Sequence, residues 1–251
     1  MNVSPTPGPL GRADFLLRNL ELKAEPVIEA CGESDSGLTQ KILDVPYFTQ
    51  PTGVTCQSTC LKMFAAYLAR RRWMTSAADS MSIDAIWKEI NTGTERPDQA
   101  QNSYRNMAWW LTKNFAPPEF GVWSTKVVEE AVAHIIRAID ANYPVMVSTN
   151  HARTDGHIIL VVGYEGNAPN QCDPKLLSEL KFICHDPYGQ FNPQLGSKHW
   201  GKKGRFDGGM SLVSGGELAP GKAVKYDYEG IRRIRDDRHS AGTYFMVSGK
   251  V

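Results

Sequence analysis

Three side chains in this 251-residue chain have the types and order of a nucleophilic centre. Cys56 stands in Pro51-Thr52-Gly53-Val54-Thr55-Cys56-Gln57-Ser58-Thr59-Cys60, at the start of an apolar run that continues through Leu61, Met63 and Phe64 to Leu68. A turn followed by such a run predicts a helix opening at Cys56, where unpaired N–H groups and the positive end of the helix dipole favour a thiolate over a thiol. About a hundred residues later, His157 leads the β-rich run Ile158-Ile159-Leu160-Val161-Val162-Gly163-Tyr164, and Asp186 follows in Phe182-Ile183-Cys184-His185-Asp186-Pro187-Tyr188-Gly189. In that chemistry the thiolate attacks a carbonyl, the histidine holds the thiol proton and later delivers it to the leaving amine, and a third group fixes the imidazole tautomer. Backbone N–H groups at the helix start and an amide side chain would receive the oxyanion; Gln50, six residues before Cys56, is close enough to reach the same cleft. The competing reading makes Cys56 a small buried hydrophobe.

The other cysteines and histidines are read against that centre. Cys60 lies one helical turn beyond Cys56, beside Leu61 and Phe64, and is expected in the core. A C-x₃-C pair also suits zinc, but a structural site wants four ligands, and Cys172, Cys184 and His185 are too loosely spaced to supply them. No metal and no cofactor are therefore expected. His185 adjoins Asp186, but neighbours on a strand face opposite ways, so it is not expected to be the base. His151 is the rival to His157; it lacks the apolar strand that would hold its ring. His134 falls on an amphipathic helix and is expected to be an ordinary helix residue.

The motifs Val45-Pro46-Tyr47-x-x-Gln50, the helix-opening Cys56, Gly156-His157-x-x-x-Val161-x-Gly163-Tyr164 and Asp186-Pro187-Tyr188-Gly189 resemble those of papain-like cysteine peptidases. The branch they resemble is that of the bacteriocin-processing, double-glycine leader peptidases, over roughly residues 43–189. The resemblance implies a papain-like α+β fold, with N-terminal helices packed on a C-terminal antiparallel sheet. It implies an oxyanion-hole role for Gln50, nucleophile for Cys56, general base for His157 and orienting acid for Asp186. One departure stands out: relatives usually place Gly-Pro directly after the nucleophile, where this chain has Gln57-Ser58.

The elements that must position these residues can be read from periodicity. Helices are predicted from Cys56 to Leu68, from Ile83 with Ser82 as N-cap, across Asn102 to Lys113, and from Thr125 to Asp140, the last stopping before Asn142-Tyr143-Pro144. Strands are expected over Val45–Gln50, Val145–Thr149, His157–Tyr164, Leu180–Cys184 and Thr243–Val247, with a basic short helix or turn over Glu229–Arg235. Residues 1–41 read as an N-terminal arm and 42–251 as the domain. Within it, a Gly-rich loop at about 190–222 carries Trp200, Lys202, Lys203 and Arg205, expected as a flap that meets a polar, anionic or glycan-bearing substrate.

Composition narrows the function classes. The chain is 41% hydrophobic and 10% aromatic, enough for a substantial core, and its net charge of +1 gives no basic field for nucleic acid. Five cysteines without paired spacing do not make a secreted disulfide scaffold, no run reaches the ~18 apolar residues of a membrane span, and no signal peptide is visible. The protein is thus expected to be made in the cytoplasm and released, if at all, by lysis or a secretion system. Three functions fit: a peptidoglycan-cutting endopeptidase or amidase, as in lysins and cell-wall effectors; a cysteine protease on polypeptides, of leader or host-targeted type; and a non-catalytic binding module.

Overall fold

The computed structural model describes residues 39–71, 78–115, 119–149, 157–166, 177, 179–188, 190–192, 205–207, 221–228, 230–231 and 242–250. Among the described residues four α-helices, α1 (Cys56–Arg70), α2 (Ile83–Thr92), α3 (Tyr104–Asn114) and α4 (Val128–Asp140), accompany nine strands. The strands are β1 (Thr39–Ile42), β2 (Phe120–Thr125), β3 (Val145–Ser148), β4 (Ile158–Gly166), β5 (Lys181–His185), β6 (Gln190–Asn192), β7 (Arg205–Asp207), β8 (Val224–Tyr226) and β9 (Tyr244–Gly249). A seven-stranded antiparallel sheet runs β2-β9-β3-β4-β5-β8, with β1 pairing the far end of β4, while β6 and β7 form a separate pair. This is the expected α+β class.

Helix α1 is the central element: Cys60, Leu61, Met63, Phe64, Ala65 and Leu68 are fully buried, and so are the polar Ser58 and Thr59 of its first turn. Buried hydroxyls need partners, and both donate back to Thr55 O, at 3.1 and 2.8 Å. The helix packs on β4, α2 and α3. Helix α2 has its expected cap, Ala85 N–H donating to Ser82 Oγ at 3.1 Å. Helix α4 stops where proline predicted, by a defined device. Asn142 takes φ 66°, its N–H donates to Ile139 O, and Tyr143 N–H donates to Ala138 O, the paired bonds of a Schellman end.

Several expectations shift. Val45–Gln50 is not in a ladder; the strand lies earlier, at Thr39–Ile42, so Thr39–Lys41, the last residues read as arm, pair with Gly166–Tyr164 of β4. The approach is close enough that a Cβ on Gly163 would collide with Lys41 O and Ile42. The helix expected from Thr125 begins at Val128, because Phe120–Thr125 is a strand in ladder register with Gly249–Tyr244. Strand β8 falls outside the expected strands, and most of Glu229–Arg235 lies outside the described residues.

Candidate active site

The turn before α1 uses up its own cap. Thr55, the N-cap residue, makes no side-chain bond to the helix; its Oγ1 donates to Thr52 O at 3.0 Å and accepts from Thr52 N at 3.2 Å. No acidic side chain occupies the first turn. Neither the Thr55 side chain nor an acidic one therefore caps the leading N–H groups, which have no carbonyl four residues back, an arrangement suited to an oxyanion beside Cys56.

His157 reaches this sulfur from the other layer. It immediately precedes β4, its carbonyl accepting from Thr149 N at 3.1 Å, while Asp186 immediately follows β5. The antiparallel register, Leu160 opposite His185, brings both to one end of adjacent strands. There His157 Nε2 lies 2.7 Å from Asp186 Oδ1, leaving Nδ1 for the sulfur. Burial alone would lower the imidazole's proton affinity. The Asp186 carboxylate and the hydrogen bond to Cys56 outweigh it and push His157 up to about 10. The side chains of Cys56, His157 and Asp186 are thus brought together in the expected order.

Asp186 is fully buried and clamped from several sides. Oδ1 also accepts from Tyr188 N at 3.0 Å, Oδ2 accepts from Tyr226 Oη at 2.9 Å, and its backbone carbonyl accepts from Tyr47 Oη at 2.9 Å. The Tyr188 ring meets the His157 ring edge-on, with centroids 6.1 Å apart. Tyr47 and Tyr188 sit inside motifs quoted above, so a signal for them existed. Tyr226 arrives on the three-residue β8, and no local pattern marks it.

Gln50 is buried next to the centre, its N–H donating to Pro187 O at 2.9 Å. Nε2 donates one proton to Thr52 O at 2.7 Å, which fixes the amide and leaves the second proton free for an oxyanion; Oε1 has no partner among the described residues. Gln57, which stands at the departure from Gly-Pro, contacts the sulfur of Cys56: Sγ donates to its Oε1 at 3.4 Å.

The rival groups fall elsewhere. His185 accepts from Ala223 N at Nδ1 (3.2 Å) and donates from Nε2 to Val45 O (2.9 Å), which defines a neutral tautomer with no nitrogen to spare. His134 is buried against Ser248 Oγ at 2.9 Å, and burial, with Arg137 nearby, pulls it down to about 4. Cys60 is in the core as expected, its thiol donating to Ile158 O at 3.5 Å and pushed well up by burial; Cys184 is buried too. His151, Cys172, Trp200, Lys202 and Lys203 lie outside the described residues. Arg205 is the first residue of β7, opposite Asn192 of β6, so the segment expected as a flap has a two-stranded base.

A model of the Peptidase_C39 like family matches residues 42–203, more than half of the chain and inclusive of Gln50, Cys56, His157 and Asp186. No curated protein matches it.

Proposed function

The chain belongs to the Peptidase_C39 like family of cysteine peptidases, and from that premise we propose that it hydrolyses amide bonds with Cys56 as nucleophile, His157 as base, Asp186 as the orienting acid and Gln50 in the oxyanion hole. The observation that carries this reading is the 2.7 Å contact between His157 Nε2 and Asp186 Oδ1, made by a histidine that also hydrogen-bonds Cys56. With Nε2–H held by Asp186, Nδ1 takes the Cys56 proton, and the sulfur attacks the scissile carbonyl carbon. The tetrahedral oxyanion receives the first-turn N–H of α1 and the free Nε2 proton of Gln50. His157 then protonates the leaving amine, and a water deprotonated by the same nitrogen releases the acid product and restores the thiol.

For the substrate we favour the peptide crosslinks of peptidoglycan. Support comes from the position of the segment between β6 and β7, which follows Asp186 directly in the chain and carries Trp200, Lys202 and Lys203, an aromatic and cationic set suited to a glycan-bearing, anionic polymer. The test sets release of soluble muropeptides from purified sacculi against cleavage of a panel of denatured proteins. Muropeptide release abolished by Cys56→Ala supports the cell-wall reading. Cleavage of the proteins alone would replace it with a general peptidase. A protein inert on both, whose Cys56 shows no more reactivity to iodoacetamide than a free thiol, would be a binding module.

A further inference from the structure

Gln57 is a primary amide only 2% exposed, in the first turn of the helix that carries the nucleophile. A buried amide is tolerated when its polar atoms are met. Both ends of Gln57 are met, and not equivalently. Oε1 faces Cys56 Sγ at 3.4 Å and accepts from the thiol. Nε2 is turned away from the sulfur and donates to Asn102 Oδ1.

Asn102 is well placed to hold that orientation. It is in the α2–α3 connection with φ 59°, and its N–H donates to Asn91 Oδ1 at 2.7 Å; Asn91 in turn donates to Trp87 O at 3.1 Å. The connection itself is pinned from within. Asn106 Nδ2 donates to Ile90 O and Asp98 O, Asn106 Oδ1 accepts from Asp98 N, and Arg96 donates to Gly93 O and Asp98 O. A chain of amides therefore runs from a surface turn to the reacting sulfur, independent of His157 and Asp186.

We propose that Gln57, oriented by Asn102, is a second direct partner of the nucleophile beside His157: its amide oxygen holds the thiol proton in the resting protein in competition with the imidazole. The inference rests on Cys56 being the nucleophile. An amide oxygen carries partial negative charge and favours S–H over S⁻, whereas an amide N–H would favour the thiolate. By occupying Nε2, Asn102 keeps the wrong end for a thiolate against the sulfur. The α2–α3 connection thus sets how readily Cys56 ionises. Among the described residues, the other titratable groups near the sulfur are His157, Cys60 one turn along α1, and Asp186 behind His157.

The experiment measures iodoacetamide alkylation of Cys56 against pH in the full chain, read on the Cys56 peptide by mass spectrometry. Gln57→Leu removes the acceptor. Asn102→Gly removes the amide that orients it, in a residue glycine can replace at positive φ. On the acid side of the wild-type profile, both should alkylate about fivefold faster, the size of one neutral hydrogen bond. Gln57→Glu, of the same shape but anionic, should be slower by at least as much. Opposite signs for the Leu and Glu variants are not what loss of packing produces. Profiles that overlay the wild type overturn the inference, as do three variants that all slow while Cys60 becomes alkylated. If Gln57→Leu does not fold, Asn102→Gly decides. His157→Ala separates the two levels: no effect of that change on Cys56 reactivity would sink the nucleophile assignment, whereas a clear effect with silent Gln57 and Asn102 variants would sink this inference alone.

Discussion

Cys56 and Cys60 are one helical turn apart and differ in what surrounds them: one faces the imidazole of His157, the other donates to a strand carbonyl in the core. Cys56→Ala should abolish hydrolysis while the unfolding free energy stays within about 1 kcal/mol of wild type, as for changes that leave a core intact. Cys60→Ala should retain activity and lose about 1 kcal/mol or more in urea unfolding, because a fully buried sulfur leaves a void. The raised proton affinity of His157 also has a sign that can be read. Once it has taken the Cys56 proton, its imidazolium persists towards pH 10, and because that form protonates the leaving amine, the alkaline limb of kcat/KM should lie well above neutrality. In Asp186→Asn, which removes the largest influence raising it, that limb should move down towards the ordinary histidine value of 6.5 with part of the rate retained. An unmoved limb would assign the alkaline ionisation to another group.

The two buried histidines pull stability in opposite pH directions. His157, raised in the fold, contributes stability that is complete below 6.5 and lost as pH climbs through about 10; His134, lowered, contributes stability complete above 6.5 and lost as pH falls through about 4. Thermal denaturation across pH should show a maximum near the crossing. His134→Gln should flatten the acid slope and leave the alkaline one.

At the scale of elements, the site depends on the turn that leads into β8. Gly221 passes so close to the sheet that a Cβ there would collide with Asp186 O and sit 2.8 Å from Tyr47 Oη, while Asp186 N donates to Gly221 O at 2.8 Å. Gly221→Ala should cost about 1–3 kcal/mol as overpacking and lower kcat more than it raises KM, since it displaces the carboxylate that holds His157. Tyr226→Phe, on the strand itself, should remove a hydrogen bond to a buried carboxylate, about 1.5–3 kcal/mol. Gly221→Ala with wild-type melting and turnover would show that the turn relaxes without moving Asp186. The helices were legible because their apolar spacing and stop signals are local. Strands β2 and β8 were not. Phe120–Thr125 has no clean alternation of burial, and Val224–Tyr226 is too short to show a period; each is a strand because a neighbour in the sheet supplies its partners.

Across the whole molecule, helices α1 to α3 and the sheet are two layers that meet at the sulfur, with the β6–β7 pair emerging beyond Asp186. Deleting residues 197–204, short of β7, should reduce turnover of sacculi at least tenfold more than turnover of a short peptide amide if remote contacts hold the polymer in attack geometry. Equal loss on both substrates, or none, would show that the segment does not bind the polymer, and the cell-wall reading would then fall behind the general peptidase one.

Cys56 at the head of an apolar helix, His157 leading a buried strand, the Gln50 to Cys56 spacing and the stop at Asn142 follow from the amino-acid order alone, because helix periodicity, capping and proline geometry act within a few residues. The meeting of His157 with Asp186, the clamp from Tyr226, the coupling of Gln57 to Asn102 and the two hydrogen bonds that occupy His185 belong to the tertiary structure. Each joins residues 29 or more positions apart through strand register and helix docking. A slip of one residue in the β4–β5 ladder would turn the strand side chains to the opposite face, so the contact of His157 with Asp186 is fixed only in the assembled sheet.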